Sequence, residues 1–397
     1  MNKRSIIFTL PWNPAHPGGV THVVASLAQT LEREASFTPV ILQQSWDHPR
    51  ADYRSHEGRT VVELRLRSPW GPTGGARAPV AFALTLAGTL RKLANIVRTT
   101  DAACINVHYP GLSAFNFLFL RWVKLYRGAI VLSFHGTDVE DMIASHGVER
   151  LLWRILISRA DRTISCSRDL RDKVAAFATA ASSRCFYVHN GIDAEGTKRE
   201  LAAPPECAGL ASLRYVVHCG AFIKRKGYDV LVRAFAKIAP EFPEVRLVLV
   251  GDPAQEYANI SDLVKTLGLA DRVRMIGLIP HAQVLWLIRQ AALLVLPSRY
   301  EAFGLVLLEA GVFARPVIAS DVGGIPEIVI DNVTGLLVAA EDEAGLAARL
   351  SYLLSRPDDA VALGDNLRRH VTSNFALDKL ARRYIEALTD HEIVKRK

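Results

Sequence analysis

The sequence predicts two α/β domains of Rossmann-like build, facing each other across a cleft. Three observations carry this reading. Short apolar runs alternate with amphipathic stretches along most of the chain, the pattern of parallel strands joined by crossover helices. A length of 397 residues suits two domains. Glycine-rich or basic loops follow several of the apolar runs, at the strand ends where such sheets build their sites. A stretch rich in Ala and Gly with Pro204-Pro205, residues 194 to 212, reads as the linker and divides the chain into 1–205 and 206–375 with a helical tail.

In the first half, Arg4 to Leu10 is a strand that runs into P-W-N-P-A-H-P-G-G-V. Gly18-Gly19 then opens an amphipathic helix from Val20 to Glu34, so the glycine pair holds a phosphate-loop position, although a plain turn would look the same. Thr38 to Gln43 and Thr60 to Leu66 are strands, with loops at 45–58 and 68–79. Val80 to Val97 has helical spacing with Arg91, Lys92 and Arg98 towards its end. Ala103 to Val107 is a strand, and Leu112 to Tyr126 reads as one aromatic helix with a basic end. That mixture suits either a core helix or contact with an anionic membrane. Ala129 to Phe134 is a strand ending in H-G-T-D, which puts His135 just past its carboxyl end with Asp138 beside it. Arg162 to Cys166 is a strand, Ser167 caps a helix to Ala178, and Cys185 to Val188 leads into the turn Asn190-Gly191.

In the second half, Tyr215 to Cys219 is a strand followed by K-R-K-G, Lys224 to Gly227, and a helix from Tyr228 to Ala239. Three cations in such a loop suit a pyrophosphate, though a solvated basic turn has the same composition. Arg246 to Val250 closes in Gly251-Asp252, and Val273 to Ile276 leads to Gly277 and Pro280. The segment on which the chain centres is P-S-R-Y-E-A-F-G-L-V-L-L-E, Pro297 to Glu309. It lies between a buried strand, Ala291 to Leu296, and an apolar helix, Gly304 to Phe313. Backbone N–H groups around Phe303, Gly304 and Leu305 would meet an anion at that helix start. Glu301 and Glu309 lie on either side, able to accept hydrogen bonds from two separate sets of hydroxyls. Val317 to Ala319 is a strand, Gly323-Gly324 forms a turn, and 343–354, 358–371 and 377–394 are helical.

Three runs in this order, C-G-A-F-I-K-R-K-G-Y-D-V-L from Cys219, the Pro297 to Glu309 segment, and A-R-P-V-I-A-S-D-V-G-G-I-P-E-I-V with T-G-L-L-V after it, resemble the glycosyltransferase family 4 group. H-G-T-D, H-N-G-I-D and the early glycine pair resemble it more weakly in the first half. The resemblance implies the GT-B fold, with the C-terminal helix, 376–397, crossing back to pack on the first domain. It implies retaining transfer of a sugar from a UDP- or GDP-linked donor to a glycan or lipid-linked acceptor, in bacterial surface polysaccharide or glycolipid assembly. Lys226, with Arg225 beside it, would stabilise the leaving diphosphate, Glu301 would hold the donor sugar and Glu309 the ribose. Gly251, the backbone at Ile279, Phe303, Gly304 and Leu305 would complete the donor site. His135, Gly18 and Gly19 would face the reaction centre, and Asp138 the acceptor side. The family's usual arginine two residues after the first strand of this half is Ala221 here, which leaves the grip on the diphosphate in question.

The composition narrows the alternatives. Five cysteines without C-x-x-C spacing fit reduced thiols in a cytoplasmic chain, and the apolar start Ser5 to Leu10 is too short for an export signal. The uncharged run Ala102 to Leu120 is broken by Asn106, His108, Pro110 and Gly111, so it reads as strand, turn and helix. Residues 1–205 hold 25 Lys and Arg against 17 Asp and Glu, which accounts for the whole net charge of +8. A basic first half suggests an anionic partner, such as the inner face of a membrane or an acidic lipid-linked acceptor. No G-x-G, P-loop, D-x-D or metal-ligand spacing occurs, so no cofactor or divalent metal is expected, and no nucleic-acid motif accompanies the basic residues. A phosphorylase or nucleotide-sugar epimerase on the same fold, and a non-catalytic partner subunit, stand as alternatives.

Overall fold

The computed structural model describes residues 3–14, 18–34, 37–45, 51–71, 77–199, 201–203 and 209–389. The chain forms two compact units: Met1–Asn190 with Asp378–Lys397, and Gly191–Leu377.

The first unit is built on β1 (Ser5–Leu10), β2 (Thr38–Gln44), β3 (Asp52–His56), β4 (Arg59–Leu64), β5 (Ala102–His108), β6 (Ala129–Phe134), β7 (Arg162–Ser165) and β8 (Cys185–Tyr187). They lie in the order β3-β4-β2-β1-β5-β6-β7-β8. Only the β3–β4 pair is antiparallel. Every residue of β1, β5 and β6 is buried, as expected of strands covered on both faces by helices. The helices are α1 (Gly19–Glu34), α2 (Arg77–Thr99), α3 (Phe115–Trp122), α4 (Thr137–Ala144), α5 (Gly147–Arg159) and α6 (Arg168–Phe177). Ser167 caps α6, its hydroxyl accepting from the Leu170 N–H, as its side-chain chemistry predicts.

The second unit has β9 (Tyr215–Cys219), β10 (Arg246–Val250), β11 (Val273–Ile276), β12 (Leu293–Leu296), β13 (Val317–Ser320) and β14 (Leu336–Val338). The order is β11-β10-β9-β12-β13-β14, all parallel, the doubly wound arrangement with its switch point between β9 and β12. Its helices are α7 (Ala194–Arg199), α8 (Tyr228–Ile238), α9 (Tyr257–Thr266), α10 (His281–Gln290), α11 (Leu305–Val312), α12 (Glu343–Ser355) and α13 (Pro357–Asn374). The strand entering this unit is tied to the segment leaving it. The Ile192 N–H donates to Phe375 O at 2.8 Å, and the Leu377 N–H to Ile192 O at 3.1 Å.

The last helix, α14 (Leu377–Thr389), joins the core of the first unit. Ala381, Tyr384, Ile385 and Leu388 pack among Ile6, Phe8, Leu27 and Val131. The Tyr384 hydroxyl meets Ser133 Oγ and lies 3.3 Å from Asn106 Oδ1, so the helix also satisfies polar groups buried in the sheet.

Several expectations change. The loop expected at 45–58 contains β3, because Glu57 and Gly58 both take positive φ (51° and 78°) and make a two-residue hairpin turn. Arg54 then pairs with Glu63 across it. Leu112 to Tyr126 is not one helix: a 3-10 turn precedes α3, and Lys124 at φ 62° ends the helical stretch. The stretch expected as linker begins with α7, where the Asp193 carboxylate accepts from the Gly196 N–H at 3.0 Å. The units therefore part at 190/191 and 377/378, not at 205/206 and 375/376. Pro204-Pro205, Cys207, residues 46–50 and 72–76 of the two expected loops, and residues 390–394 of the expected last helix lie outside the described residues. The other four cysteines are buried free thiols.

Leu388 is fully buried in the first unit. Leu388→Ala should cost about 2–5 kcal/mol and should move the unfolding transition of that unit alone. Calorimetry that shows the other unit's transition moving instead would refute the placement of α14.

Candidate functional site

In the second unit the switch point brings together the loops that follow β9 and β12. After β9 the chain makes a 3-10 turn over Lys224–Lys226 and enters α8 through Gly227 at φ 67°. A Cβ at Gly227 would sit 2.0 Å from Pro297 O, so only glycine allows the two loops to touch. The loop after β12 supplies Glu301. Its carboxylate takes a bond from Lys226 Nζ at 2.5 Å and one from Ser298 Oγ at 3.2 Å. Both side chains are largely shielded, with relative exposures of 18% for Lys226 and 14% for Glu301. Two residues 75 positions apart thus form one ion pair, because adjacent parallel strands end beside each other.

Arg299 holds this arrangement in place, and the sequence reading did not single it out. Its backbone N–H donates to Arg225 O at 2.7 Å, and its guanidinium donates to Lys224 O at 2.6 Å. The same guanidinium makes a two-pronged bond to Asp229 at 2.8 Å on each arm and also engages Glu341. Burial resists ionisation of Asp229, but the Arg299 bonds outweigh it and hold the carboxyl below its usual range. Among basic side chains, arginine alone has a fork of donors that can reach two loops and two carboxylates at once.

Beyond Glu301 the chain reaches Ala302 and Phe303, both buried, then Gly304, which caps α11 at φ 97°. Leu305 is the first residue of that helix, and its first-turn N–H groups have no acceptor inside the helix. The turn at Gly323-Gly324 supports this loop from behind: the Gly324 N–H donates to Glu301 O at 2.9 Å. A side chain on Gly323 (φ 55°) would collide with the same carbonyl at 2.0 Å. Glu309, in the second turn of α11, lies 2.8 Å from His281 Nε2 at the start of α10. His281 follows directly on the loop that holds the half-buried Ile279, so that loop and Glu309 are joined by a residue the sequence reading missed. Gly251 closes β10 on β11, donating to Ile276 O at 3.1 Å. Ala221 lies on the same rim, its carbonyl accepting from the Ile223 N–H at 2.8 Å.

In the first unit a second group collects at the ends of β1, β5 and β6. His108 ends β5 and His135 follows β6; the rings stack with centroids 5.2 Å apart, and His108 Nδ1 lies 3.0 Å from His135 Nε2. Burial drives His135 down to about 4 and His108 well below the usual imidazole range, so both rings are neutral at pH 7. Asp138 is buried and borders a cavity over these strand ends. Its carboxylate accepts from the N–H groups of His135, Gly136 and Val139, and so fixes the turn that presents His135. Burial raises its carboxyl to about 7 against those donors. Gly18 and Gly19 are exposed at the start of α1, where Gly18 O accepts from the His22 N–H at 3.1 Å.

A cavity of about 820 Å³ opens over these strand ends. Gln44, Arg67, Trp70, Tyr109, Asp138 and Trp153 are among its lining residues. Tyr109 takes φ 51°, an uncommon conformation for a bulky residue that recurs where backbone is held for a task. Ser68, Trp70 and Gly71, from the expected loop at 68–79, also reach that lining. Among the described residues no three His, Cys, Asp or Glu side chains converge as metal ligands.

Two Rossmann-like sheets of this strand order are the architecture of the GT-B glycosyltransferases. The chain belongs to glycosyltransferase family 4: residues 17–195 match the model Glycosyltransferase Family 4 and 211–370 the model Glycosyl transferases group 1. It is 30% identical to the N-acetyl-alpha-D-glucosaminyl L-malate synthase of Bacillus anthracis over 74% of this chain and 76% of that one. It is 35% identical to the lipopolysaccharide core biosynthesis mannosyltransferase LpcC of Rhizobium leguminosarum bv. viciae, over 53% of this chain and 63% of that protein's length. Sucrose-phosphate synthase from Thermosynechococcus elongatus superposes with a TM-score of 0.76 at 25% identity, over 97% of this chain and 98% of that one.

Two outcomes follow from the geometry. Removing one partner of the shielded Lys226–Glu301 pair leaves the other uncompensated. Lys226→Ala and Glu301→Gln should each cost about 1–3 kcal/mol, and the double variant less than their sum, by thermal melts of the four proteins. Strict additivity would deny the pair. For His135, the folded ring takes its proton near 4 and an unfolded one near 6.5, so its contribution to stability is lost as pH falls through that window. Asp138 acts oppositely: folded it takes a proton at about 7, so folding gains as pH falls from 7 towards 4. The two offset each other in a melt, so NMR of the ring proton is the clean probe. An imidazole midpoint for His135 near 6.5 would show that the ring is not sheltered.

Proposed function

We propose that this chain transfers a sugar from a UDP- or GDP-linked donor to a hydroxyl of a glycan or lipid-linked acceptor, with retention of anomeric configuration. The Lys226–Glu301 pair at the switch point carries the reading. A cation and a carboxylate already in contact are poised to separate onto a ligand that has both a diphosphate and hydroxyls. Lys226, with Arg225 on the same turn, would take the charge that develops on the leaving diphosphate, helped by the N–H groups of Gly304 and Leu305. Glu301 would accept from the donor sugar, and Glu309, held by His281, from the ribose. The backbone near Ile279 and Gly251 would shape the base end, with Phe303 as the packed floor of the loop. With Ala221 in place of an arginine, Arg225 is the guanidinium nearest in sequence for the second contact.

His135, neutral at working pH, would hydrogen-bond the sugar at the reaction centre with Gly18 and Gly19 close to the phosphates. No side-chain nucleophile is required if the acceptor enters on the leaving-group side and the departing phosphate takes its proton. The cavity beside Tyr109 is the proposed acceptor recess. The setting we propose is the cytoplasmic side of a membrane, in surface polysaccharide or glycolipid assembly. The basic first half and the likeness to a lipopolysaccharide core mannosyltransferase support that setting.

Thermal shift against a panel of nucleotides and nucleotide sugars tests the donor site. A matching donor at about a hundredfold excess over its Kd should stabilise the chain by about 2.7 kcal/mol, and Glu309→Ala should lose that response. A full response in Glu309→Ala, or none to any nucleotide in the wild type, would overturn the assignment. With a turning-over donor and acceptor in hand, NMR of the product anomer decides retention.

A further inference from the structure

We infer that the helical layer of the first unit centred on α2 is a docking surface for an anionic lipid bilayer. This deepens the membrane part of the reading above and does not depend on the donor chemistry. α2 spans 23 residues, long and apolar enough to cross a membrane, yet little of its apolar stretch is buried. It is not free to cross a bilayer. Phe82, Leu90, Leu93, Ile96 and Val97 hold its inner face to the protein, and Phe82 packs on Phe119 of α3 with ring centroids 5.7 Å apart.

The outer face is the unusual part. At helical spacing it runs Arg77, Val80, Leu84, Arg91, Asn95, Arg98, all exposed, with Val80 at 58% and Leu84 at 81%. Two bulky aliphatic side chains in water, flanked by cations, make the pattern of a helix lying in a membrane interface. The layer continues it. Phe119 packs edge-on against Trp122 at 4.9 Å, and Trp122, Val123 and Leu125 are exposed beside Lys124 and Arg127. α5, which packs on α3, exposes Val148 and Leu151. So of the aromatic stretch at 112–126, for which a core helix and a membrane contact are the two readings, only the end contributes to this surface, because Phe115 and Phe117 turn inward.

Charge complementarity selects the occupant. One recess of about 240 Å³ is lined by Arg65, Arg67 and Lys92 with Leu84, Thr85 and Thr89. A second, of about 410 Å³, is lined by Tyr53, Arg91, Lys92 and Asn95, with Gly88 shared between them. Among the described residues, no acidic side chain lines either recess. Apolar side chains for the acyl boundary and basic recesses for phosphates suit an anionic lipid surface. A second copy of the chain fits worse, since an isologous contact would set these cations against themselves. The first turn of α2 (Arg77, Ala78, Ala81) also lines the 820 Å³ cavity, so a bilayer on this helix would place lipid headgroups beside the proposed acceptor recess.

Flotation of the full chain with phosphatidylcholine vesicles, with and without phosphatidylglycerol, tests this. Binding should require phosphatidylglycerol and weaken with salt. Leu84→Glu should lower it at least about tenfold, since it loses the buried side chain and adds a repelled charge. The variant's melt and its response to nucleotides should be unchanged. Absence of wild-type binding, or full binding by both Leu84→Glu and Val80→Glu, overturns the inference. So does a wild-type dimer that Leu84→Glu converts to monomer with no vesicle binding by either, because the face would then be an interface between copies. Vesicle binding without any nucleotide response would sink the donor reading alone, and the reverse would sink this one alone.

Discussion

The Arg299 guanidinium is the constraint on which the second unit's site depends. It ties the loop that follows β12 to the turn and helix that follow β9, through a bond to Lys224 O and a two-pronged bond to Asp229, while the main-chain N–H of the same residue donates to Arg225 O. It sets two carboxylates, Asp229 and Glu341, beside the turn that carries the three cations Lys224–Lys226. Lys226 lies on Glu301, and the glycines at 227 and 323 let backbone approach where a Cβ would collide. The ion pair is thus a product of the sheet's topology. A parallel sheet that reverses its strand order leaves two neighbouring loops free to converge, and charge chemistry is then placed by the backbone.

The first unit solves a related problem with neutral groups. His108, His135 and Asp138 are shielded, and each has its charged form disfavoured by burial. The cluster survives because its polar atoms are largely spoken for: ring to ring between the histidines, and carboxylate to backbone at the turn. Behind it, Asn106, Ser133 and Tyr384 form a further buried polar group, and Tyr384 comes from the far end of the chain. α14 therefore adds both apolar cover and hydrogen bonds to the sheet that carries His135. That tie makes the C-terminal helix part of the same folding unit as β1 to β8.

What could be read from the sequence depended on how local the cause was. The runs at β1, β5, β9 and β10 were legible because parallel strands buried on both faces are mostly apolar, with few charged residues. The Ser167 cap was legible because a hydroxyl before a helix has one obvious use. Glu301, Glu309 and Lys226 stood out through the motif that surrounds them. The hairpin at Glu57-Gly58 reads as loop in the sequence because its signal is two residues long and its strand, β3, is exposed and polar. α4 and α5 were passed over beside the more conspicuous H-G-T-D. Arg299 and His281 carry no local mark: each matters through a partner 28 to 75 positions away.

By itself the sequence determined the two-fold alternation of strands and helices, the loops that carry charge, and the residues with donor-site chemistry. Those follow from periodicity and side-chain type, which act over a few residues. Only the tertiary structure decided which of them meet. It paired Lys226 with Glu301 and Glu309 with His281, turned the Asp138 carboxylate inward, and assigned α14 to the first unit. It also decided which faces of α2 and α3 look outward, a matter of what packs beneath them. Strand order and helix docking set those distances, and neither is written in any short segment of the chain.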